Sequence, residues 1–372
     1  MMYVMESEPD VHTIINKKMV HYFSGCSYYG FQVHPEVVQA ACDAVNRYGI
    51  SIATTSAFYG NNPVMLELEK NASRFFGTET VLYYVSGCFG NSILLEGLVD
   101  DYEVIFTDSE SHYSVKKAVS LVNRPVITFE HMNPEDLRQK IRRNLKPPQR
   151  PLVICDGIFP ISGEISPLPQ YKEVLEEFED AVLCVDDAHA TGVIGEKGHG
   201  TFEYFGIEGK RRYSSGTSSK AIGGHGGIIA GDKELINKLK RKATLANACS
   251  PVTNPAAAAT AKAFDILYNN PGLRKKLWQN VAYAKNGLRE LGFEIDDTPV
   301  PIICIGSHGR ADKRGDFEAL QQKLFERNIA VTYVPPGAYT STPPSGAVRI
   351  SVFATHTFEQ IDYLTEEIKR LI

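Results

Sequence analysis

The 372-residue sequence predicts an α/β fold, with a large domain on a mostly parallel sheet followed by a smaller α+β C-terminal domain. Three observations carry the prediction. From Glu103 onward short β runs alternate with helical segments, the pattern that lays helices over a parallel sheet through right-handed crossovers. Within that alternation the apolar run 181–185 (AVLCV) passes at once into Asp186-Asp187-Ala188-His189, as a buried parallel strand does when it delivers polar groups at its carboxyl end. After Ser250 the pattern changes to two long helices and then to short strands alternating with helices. The domains expected are an arm over 1–35, a large domain over 36–262 and a small one over 263–372.

In chain order, Val37, Val38, Ala41 and Val45 recur at helical spacing and predict a helix over 35–48. Residues 51–62 are small, polar and aromatic, and read as a loop. A second amphipathic helix is expected over 63–76, with Pro63 suited to its first turn. A β run at 80–85 then meets the glycine-rich turn Ser86-Gly87-Cys88-Phe89-Gly90-Asn91, which opens a helix over 92–98. Strand, glycine turn and helix together make an anion site, because backbone N–H groups and the helix dipole point the same way. Strands at 104–106, 126–128, 152–155 and 181–185 alternate with helices at 114–122, 134–144 and 170–178; a strand at 227–230 and a helix at 234–246 follow. The C-terminal part reads as helices over 256–268 and 271–291, strands at 300–305, 330–333 and 347–353, and helices over 316–327 and 357–371.

Composition narrows the partners. A net charge of -5 with no run of Lys or Arg leaves no electrostatic footprint for nucleic acid or an anionic membrane. Acidic residues stand where a signal peptide would be basic and apolar, and no apolar run approaches the roughly 20 residues of a membrane span. The seven cysteines are scattered without a CxxC pair, a pattern of buried reduced thiols and not of a disulfide framework or zinc site, so a cytosolic protein is expected.

The candidate chemistry lies between 181 and 220. Asp186 at a strand end, His189 three residues later and Lys220 among small hydroxyl residues and glycines suggest pyridoxal phosphate. That cofactor needs a lysine for its Schiff base, an acid on its pyridine nitrogen and a hydrogen bond to its phenolic oxygen. Each residue also has a plainer reading: Asp186 as a cap or turn residue, Lys220 as a solvated lysine, His112 in the DSESH segment as a loop histidine, Thr217 as a turn cap. In the functional reading His112 lies flat against the cofactor ring and Thr217 reaches its phosphate. Arg349, in the β run AVRISVF, should be buried beside an anion, either a structural carboxylate or a substrate's.

The segments SGCFGN, DSESH, DGIFPISGEISPL, VDDAHATGVIGEKGHGT, TSSKAIGGHGG and AVRISVFATHT occur in the order and at the spacing seen in the α-oxoamine synthases, a fold-type I group of pyridoxal-phosphate enzymes. The resemblance spans roughly 21–370. It implies that Lys220 is the Schiff-base lysine, Asp186 the pyridine-nitrogen partner, His189 the phenolic-oxygen partner and His112 the ring-stacking residue. It places Gly87, Cys88 and Phe89 with Thr217 at the phosphate, Arg349 and Ser27 at the amino-acid substrate, and Ser250 and Thr253 where a hydroxyl reaches the phosphate of the neighbouring subunit in a homodimer. The activity implied is decarboxylative condensation of a small α-amino acid with an acyl-CoA or other acyl-thioester. The sequence departs from the group's pattern in three places: Pro160 follows Phe159 where a serine is usual, Ser56 and Met65 stand in place of an arginine and a histidine, and the arm is short. Those departures motivate an alternative on the same scaffold, an aminotransferase or an aldolase-type lyase.

Overall fold

The computed structural model describes residues 2–55, 58–306, 316–338, 342 and 346–372. Ser56 lies outside them. The chain forms two compact units, one of Pro35–Phe159 with Ile165–Asn269 and one of the residues up to His34 with Pro160–Glu164 and Asn270–Ile372.

The first unit is built on a seven-stranded sheet, in the order Thr80–Tyr84, Gly227–Gly231, Arg212–Thr217, Val182–Asp186, Pro151–Asp156, Val104–Asp108, Val126–Phe129. Only Gly227–Gly231 runs antiparallel to its neighbours. Every residue of Val104–Asp108, Pro151–Asp156 and Val182–Asp186 is buried, as continuous apolar runs require when both faces of a parallel sheet are covered. Alternation divides them between two cores. Ile105, Leu152, Ile154, Val182 and Cys184 pack on one face with Leu94, Leu98 and Leu239, whereas Phe106, Val153, Cys155, Leu183 and Val185 pack on the other with Leu137, Ile141 and Tyr171. Three of these central strands end in an aspartate, so Asp108, Asp156 and Asp186 gather at the carboxyl edge of the sheet. The strand Arg212–Thr217 was not expected: its residues RYSSGT are mostly small and polar, and only sheet neighbours on both sides make it a strand. The helix expected over 234–246 breaks at Ala243, giving Lys233–Lys242 and Thr244–Asn247.

The second unit has two three-stranded sheets. Its N-terminal residues, read from sequence as an arm, form the hairpin His12–Ile15 and Lys18–Tyr22, with Ile329–Ala330 parallel to the second strand. Asn16 and Lys17 turn the hairpin with φ of 51° and 64°, a left-handed pair that Asn-Gly would have announced and Asn-Lys did not. The other sheet is antiparallel, Ile302–Ile305, Ala347–Ser351 and Thr332–Val334 in order, accompanied by the helices Gly272–Glu290, Phe317–Glu326 and Phe358–Leu371. Among the described residues no helix is long and apolar enough to cross a membrane. Of the cysteines only Cys155, Cys184 and Cys304 are buried; Cys42 and Cys88 are exposed, because each lies on a helix or turn face that the local apolar content does not reveal.

His356 shows how this unit is held. Its ring stacks on Phe23 at 4.1 Å and on Phe353 at 4.9 Å; Nδ1 accepts from the Phe353 N–H at 2.9 Å, and Nε2 donates to the Tyr22 carbonyl at 3.1 Å. Both nitrogens serve the neutral ring, and burial lowers its pKa to about 3. An unfolded chain takes up that proton near pH 6.5, so this contribution to stability is fully present above pH 6.5 and is lost as pH falls toward 3. In the apoprotein, His356→Gln should lower stability at pH 7 and also narrow the difference in urea midpoint between pH 7 and pH 4.5. A difference as large as in the wild type would contradict this account.

Candidate active site

The strand Val182–Asp186 delivers Asp186 at its end, and the loop that follows carries His189 back toward the chain emerging from the neighbouring strand Arg212–Thr217. There the Lys220 amine lies 2.9 Å from His189 Nε2. Amine and imidazole are thus within hydrogen-bond distance of each other.

Asp186 is buried. Its Oδ2 accepts from Asn91 Nδ2 at 2.6 Å and from Ser114 Oγ at 3.2 Å, and its Oδ1 accepts from the Ala188 N–H at 3.0 Å. His112 caps the helix Tyr113–Leu121, with Nδ1 2.8 Å from Ser114 Oγ, and its backbone N–H donates to Asp156 Oδ2 at 2.8 Å. Burial lowers the pKa of His112; the Asp186 charge opposes the shift and the Lys220 charge reinforces it, which sets all three groups in one electrostatic cluster.

The glycine turn meets the end of the next strand. A Cβ on Gly87 would lie 2.5 Å from Thr217 Oγ1, so only glycine lets the 3-10 turn Gly87–Phe89 come this close. Thr217 Oγ1 donates to the Gly226 carbonyl at 3.0 Å and lies 2.8 Å from Ser219 Oγ. Cys88 points outward, its Sγ 3.4 Å from the Tyr113 hydroxyl, and Phe89 packs on the core below. Ser250 and Thr253 are exposed, just ahead of the helix Asn254–Asn269.

Arg349 and Ser27 belong to the other unit. Arg349 is buried there; Nε donates to the Pro160 carbonyl at 2.7 Å, Nη1 to Ser351 Oγ at 2.8 Å and to the Gly25 carbonyl at 3.3 Å, and Nη2 faces Cys26 Sγ at 3.8 Å. Its hydrogen-bond partners among the described residues are thus carbonyls, the hydroxyls of Ser351 and Tyr28 and a thiol, with no structural carboxylate. Pro160, which brings no hydroxyl, supplies its carbonyl to this arginine. Ser27 is buried and bonds to Gln32.

Four supporting groups were missed from the sequence. Asn91 and Ser114 bind Asp186, Asp156 holds the His112 backbone, and Asp187 turns away from Asp186, accepting from Thr201 Oγ1 at 2.7 Å and the Thr201 N–H at 3.1 Å. The last was readable: adjacent strand residues face opposite ways, so a DD pair cannot serve one site with both acids. Gly157 and Gly200 make room for it, since a Cβ on either would fall within 2.3 Å of an Asp187 oxygen.

The residues fit pyridoxal phosphate on their own chemistry: a carboxylate at the sheet edge, an amine against an imidazole, a capping imidazole electrostatically tied to carboxylate and amine, and a glycine turn too close to Thr217 for any side chain. Burial raises the Asp187 pKa to about 7, and its proximity to Asp186 adds to the shift. The folded state therefore keeps a proton that the unfolded chain releases near pH 4, and this group costs stability progressively as pH rises from 4 to 7. Asp187→Asn in the apoprotein should flatten that part of the stability profile. A slope identical to the wild type in calorimetric scans would contradict the burial argument.

Comparison with known proteins agrees with this geometry. The family described as aminotransferase class I and II matches residues 24–368. The chain is 33% identical over 367 residues to a serine palmitoyltransferase of Sphingobacterium spiritivorum, covering 99% of this chain and 90% of the relative. It is 32% identical over 368 residues to 8-amino-7-oxononanoate synthase 1 of Bacillus subtilis, covering 98% and 91%. Among solved structures, a Sphingomonas wittichii serine palmitoyltransferase superposes with a TM-score of 0.90 at 25% identity, covering 99% of this chain and 91% of that one. The chain therefore belongs to the class I and II aminotransferase family, within its α-oxoamine synthase group.

Proposed function

We propose that this protein is a pyridoxal-phosphate-dependent acyltransferase that condenses a small α-amino acid with an acyl-thioester, releasing carbon dioxide and the free thiol and forming an α-amino ketone. The observation that carries the reading is the 2.9 Å contact between the Lys220 amine and His189, in one cluster with the buried Asp186. The relatives named for palmitoyl transfer to serine and for synthesis of 8-amino-7-oxononanoate support acyl transfer over the aminotransferase and aldolase-type alternatives.

When bound, the cofactor supplies an electron sink for the carbanion formed at the amino-acid α-carbon. Lys220 holds the cofactor before substrate arrives and afterwards, as a free amine, moves the proton at that carbon. His189, whose Nε2 lies 2.9 Å from the Lys220 amine, would with a proton on Nε2 donate a hydrogen bond to the phenolic oxygen, or to the acyl oxygen as negative charge gathers there. Asp186, whose carboxyl oxygens accept from three donors, would pair with the ring nitrogen and keep it protonated. His112 covers the ring face and stays neutral at physiological pH, so it adds no charge against the protonated nitrogen. Gly87, Cys88, Phe89 and Thr217 hold the phosphate. Arg349, buried without a carboxylate partner among the described residues, would pair with the substrate carboxylate.

The working form in this reading is a cytoplasmic homodimer, in which Ser250 and Thr253 serve the partner's phosphate. Their exposure supports it, as does the nearby exposed Ile50, whose carbonyl accepts from the Asn254 N–H.

Purified protein mixed with glycine, alanine or serine and a panel of acyl-thioesters should release thiol and carbon dioxide in equal amounts. Pyridoxamine phosphate accumulating with a keto acid would instead identify an aminotransferase. Lys220→Ala should lose the visible absorbance of lysine-bound cofactor and lower turnover by on the order of 1,000-fold or more; an unchanged spectrum would refute the lysine's role.

A further inference from the structure

Asn91 closes the glycine-rich turn and has its side chain wholly buried on the first turn of the helix Gly90–Gly97. Its amide has a definite orientation. Oδ1 accepts from Ser215 Oγ at 3.2 Å, while Nδ2 donates to Asp186 Oδ2 at 2.6 Å and lies 3.3 Å from Ser114 Oγ. The reverse orientation would set a carbonyl oxygen against a carboxylate and leave the Ser215 hydroxyl facing an NH₂ group. Ser215 is itself the register partner of Asp186 on the adjacent strand, so the sheet fixes the anchor and the anchored group together.

Counting acceptor positions gives the consequence. A carboxylate has about two acceptor positions on each oxygen. Asn91 and Ser114 fill both on Oδ2, whereas the Ala188 N–H takes one on Oδ1. We propose that Asn91 is a positioning residue for the cofactor: by saturating Oδ2 and fixing the rotation of the Asp186 carboxylate, it presents Oδ1 as the oxygen that receives the proton-bearing ring nitrogen. Ser114, through its 2.8 Å contact with His112 Nδ1, ties the ring-covering imidazole to the same carboxylate. Ring nitrogen and ring face are then set by one hydrogen-bonded unit, Ser215–Asn91–Asp186–Ser114–His112, drawn from four separate segments of the chain.

This inference rests on the proposed use of pyridoxal phosphate, and a pair of ligands separates the two. Pyridoxal phosphate and its carba analogue, with carbon in place of the ring nitrogen, are titrated into apoprotein and followed by absorbance and tryptophan fluorescence. Asn91→Leu keeps the side-chain volume and removes the donors; it should weaken pyridoxal phosphate binding by on the order of 10- to 100-fold. The analogue, with no ring nitrogen for Asp186 to meet, should bind the variant and the wild type within about twofold of each other. Ser215→Ala, which removes only the group that orients the amide, should show the same selectivity with a smaller loss and serves if Asn91→Leu does not fold. Equal losses for both ligands mean a general packing defect and overturn the proposal, as does an unchanged affinity for pyridoxal phosphate. Wild-type protein that binds neither ligand overturns the cofactor reading itself, before any variant is compared.

Discussion

A carboxylate buried at the end of an interior strand has to be answered by donors, because an ion taken out of water without them costs several kcal/mol. Asp186 is such a group, and much of the sheet's carboxyl edge is arranged around it. Its donors come from three places: Asn91 on the helix that follows the glycine turn, Ser114 on the helix that follows the strand Val104–Asp108, and the Ala188 N–H of its own loop. Those segments meet only because the strands that deliver them lie in one sheet, with helices folded back over it. Fold and site are in this sense one construction.

The neighbouring acids follow from the same constraint. Asp156 is the register partner of Asp186, and burial together with the Asp186 charge pushes its carboxyl well above the usual range. Asp187, facing the other way, is likewise raised by burial. Asp156 and Asp187 accept hydrogen bonds from the His112 backbone and from the loop at Thr201. This gives a physical sense to the length of the VDDAHATGVIGEKGHGT segment: its first aspartate accepts from Asn91 and Ser114, its second binds the threonine that ends it, and Gly200 is the residue small enough to let that loop close. The Lys220 amine lies against the His189 imidazole beside them.

Much of the fold was legible because its determinants are local. Apolar runs such as VIFTD, PLVICD and AVLCV declare buried parallel strands, and helices such as Pro63–Phe76 and Phe358–Leu371 show their periodicity. The strand Arg212–Thr217 and the N-terminal hairpin were not legible, since the first owes its conformation to its neighbours and the second turns on Asn-Lys. The same division runs through the site. Asp186, His189 and Lys220 can be read from one stretch, because strand end, loop and small-residue segment follow one another. Asn91 and Ser114 act on Asp186 across 95 and 72 residues of sequence, and nothing in SGCFGN or ESHYS marks them as its partners. Arg349 was readable as a buried cation, but that its partners would be carbonyls, hydroxyls and a thiol depends on Pro160, Gly25 and Tyr28, far off in the chain.

The account turns on Lys220 as the residue that holds the cofactor. Protein loaded with pyridoxal phosphate, reduced with borohydride, digested and analysed by mass spectrometry locates that bond directly. The cofactor's mass on the peptide containing Lys220, and on no other lysine, is the result predicted. The mass on a different lysine, or on none, would contradict the account.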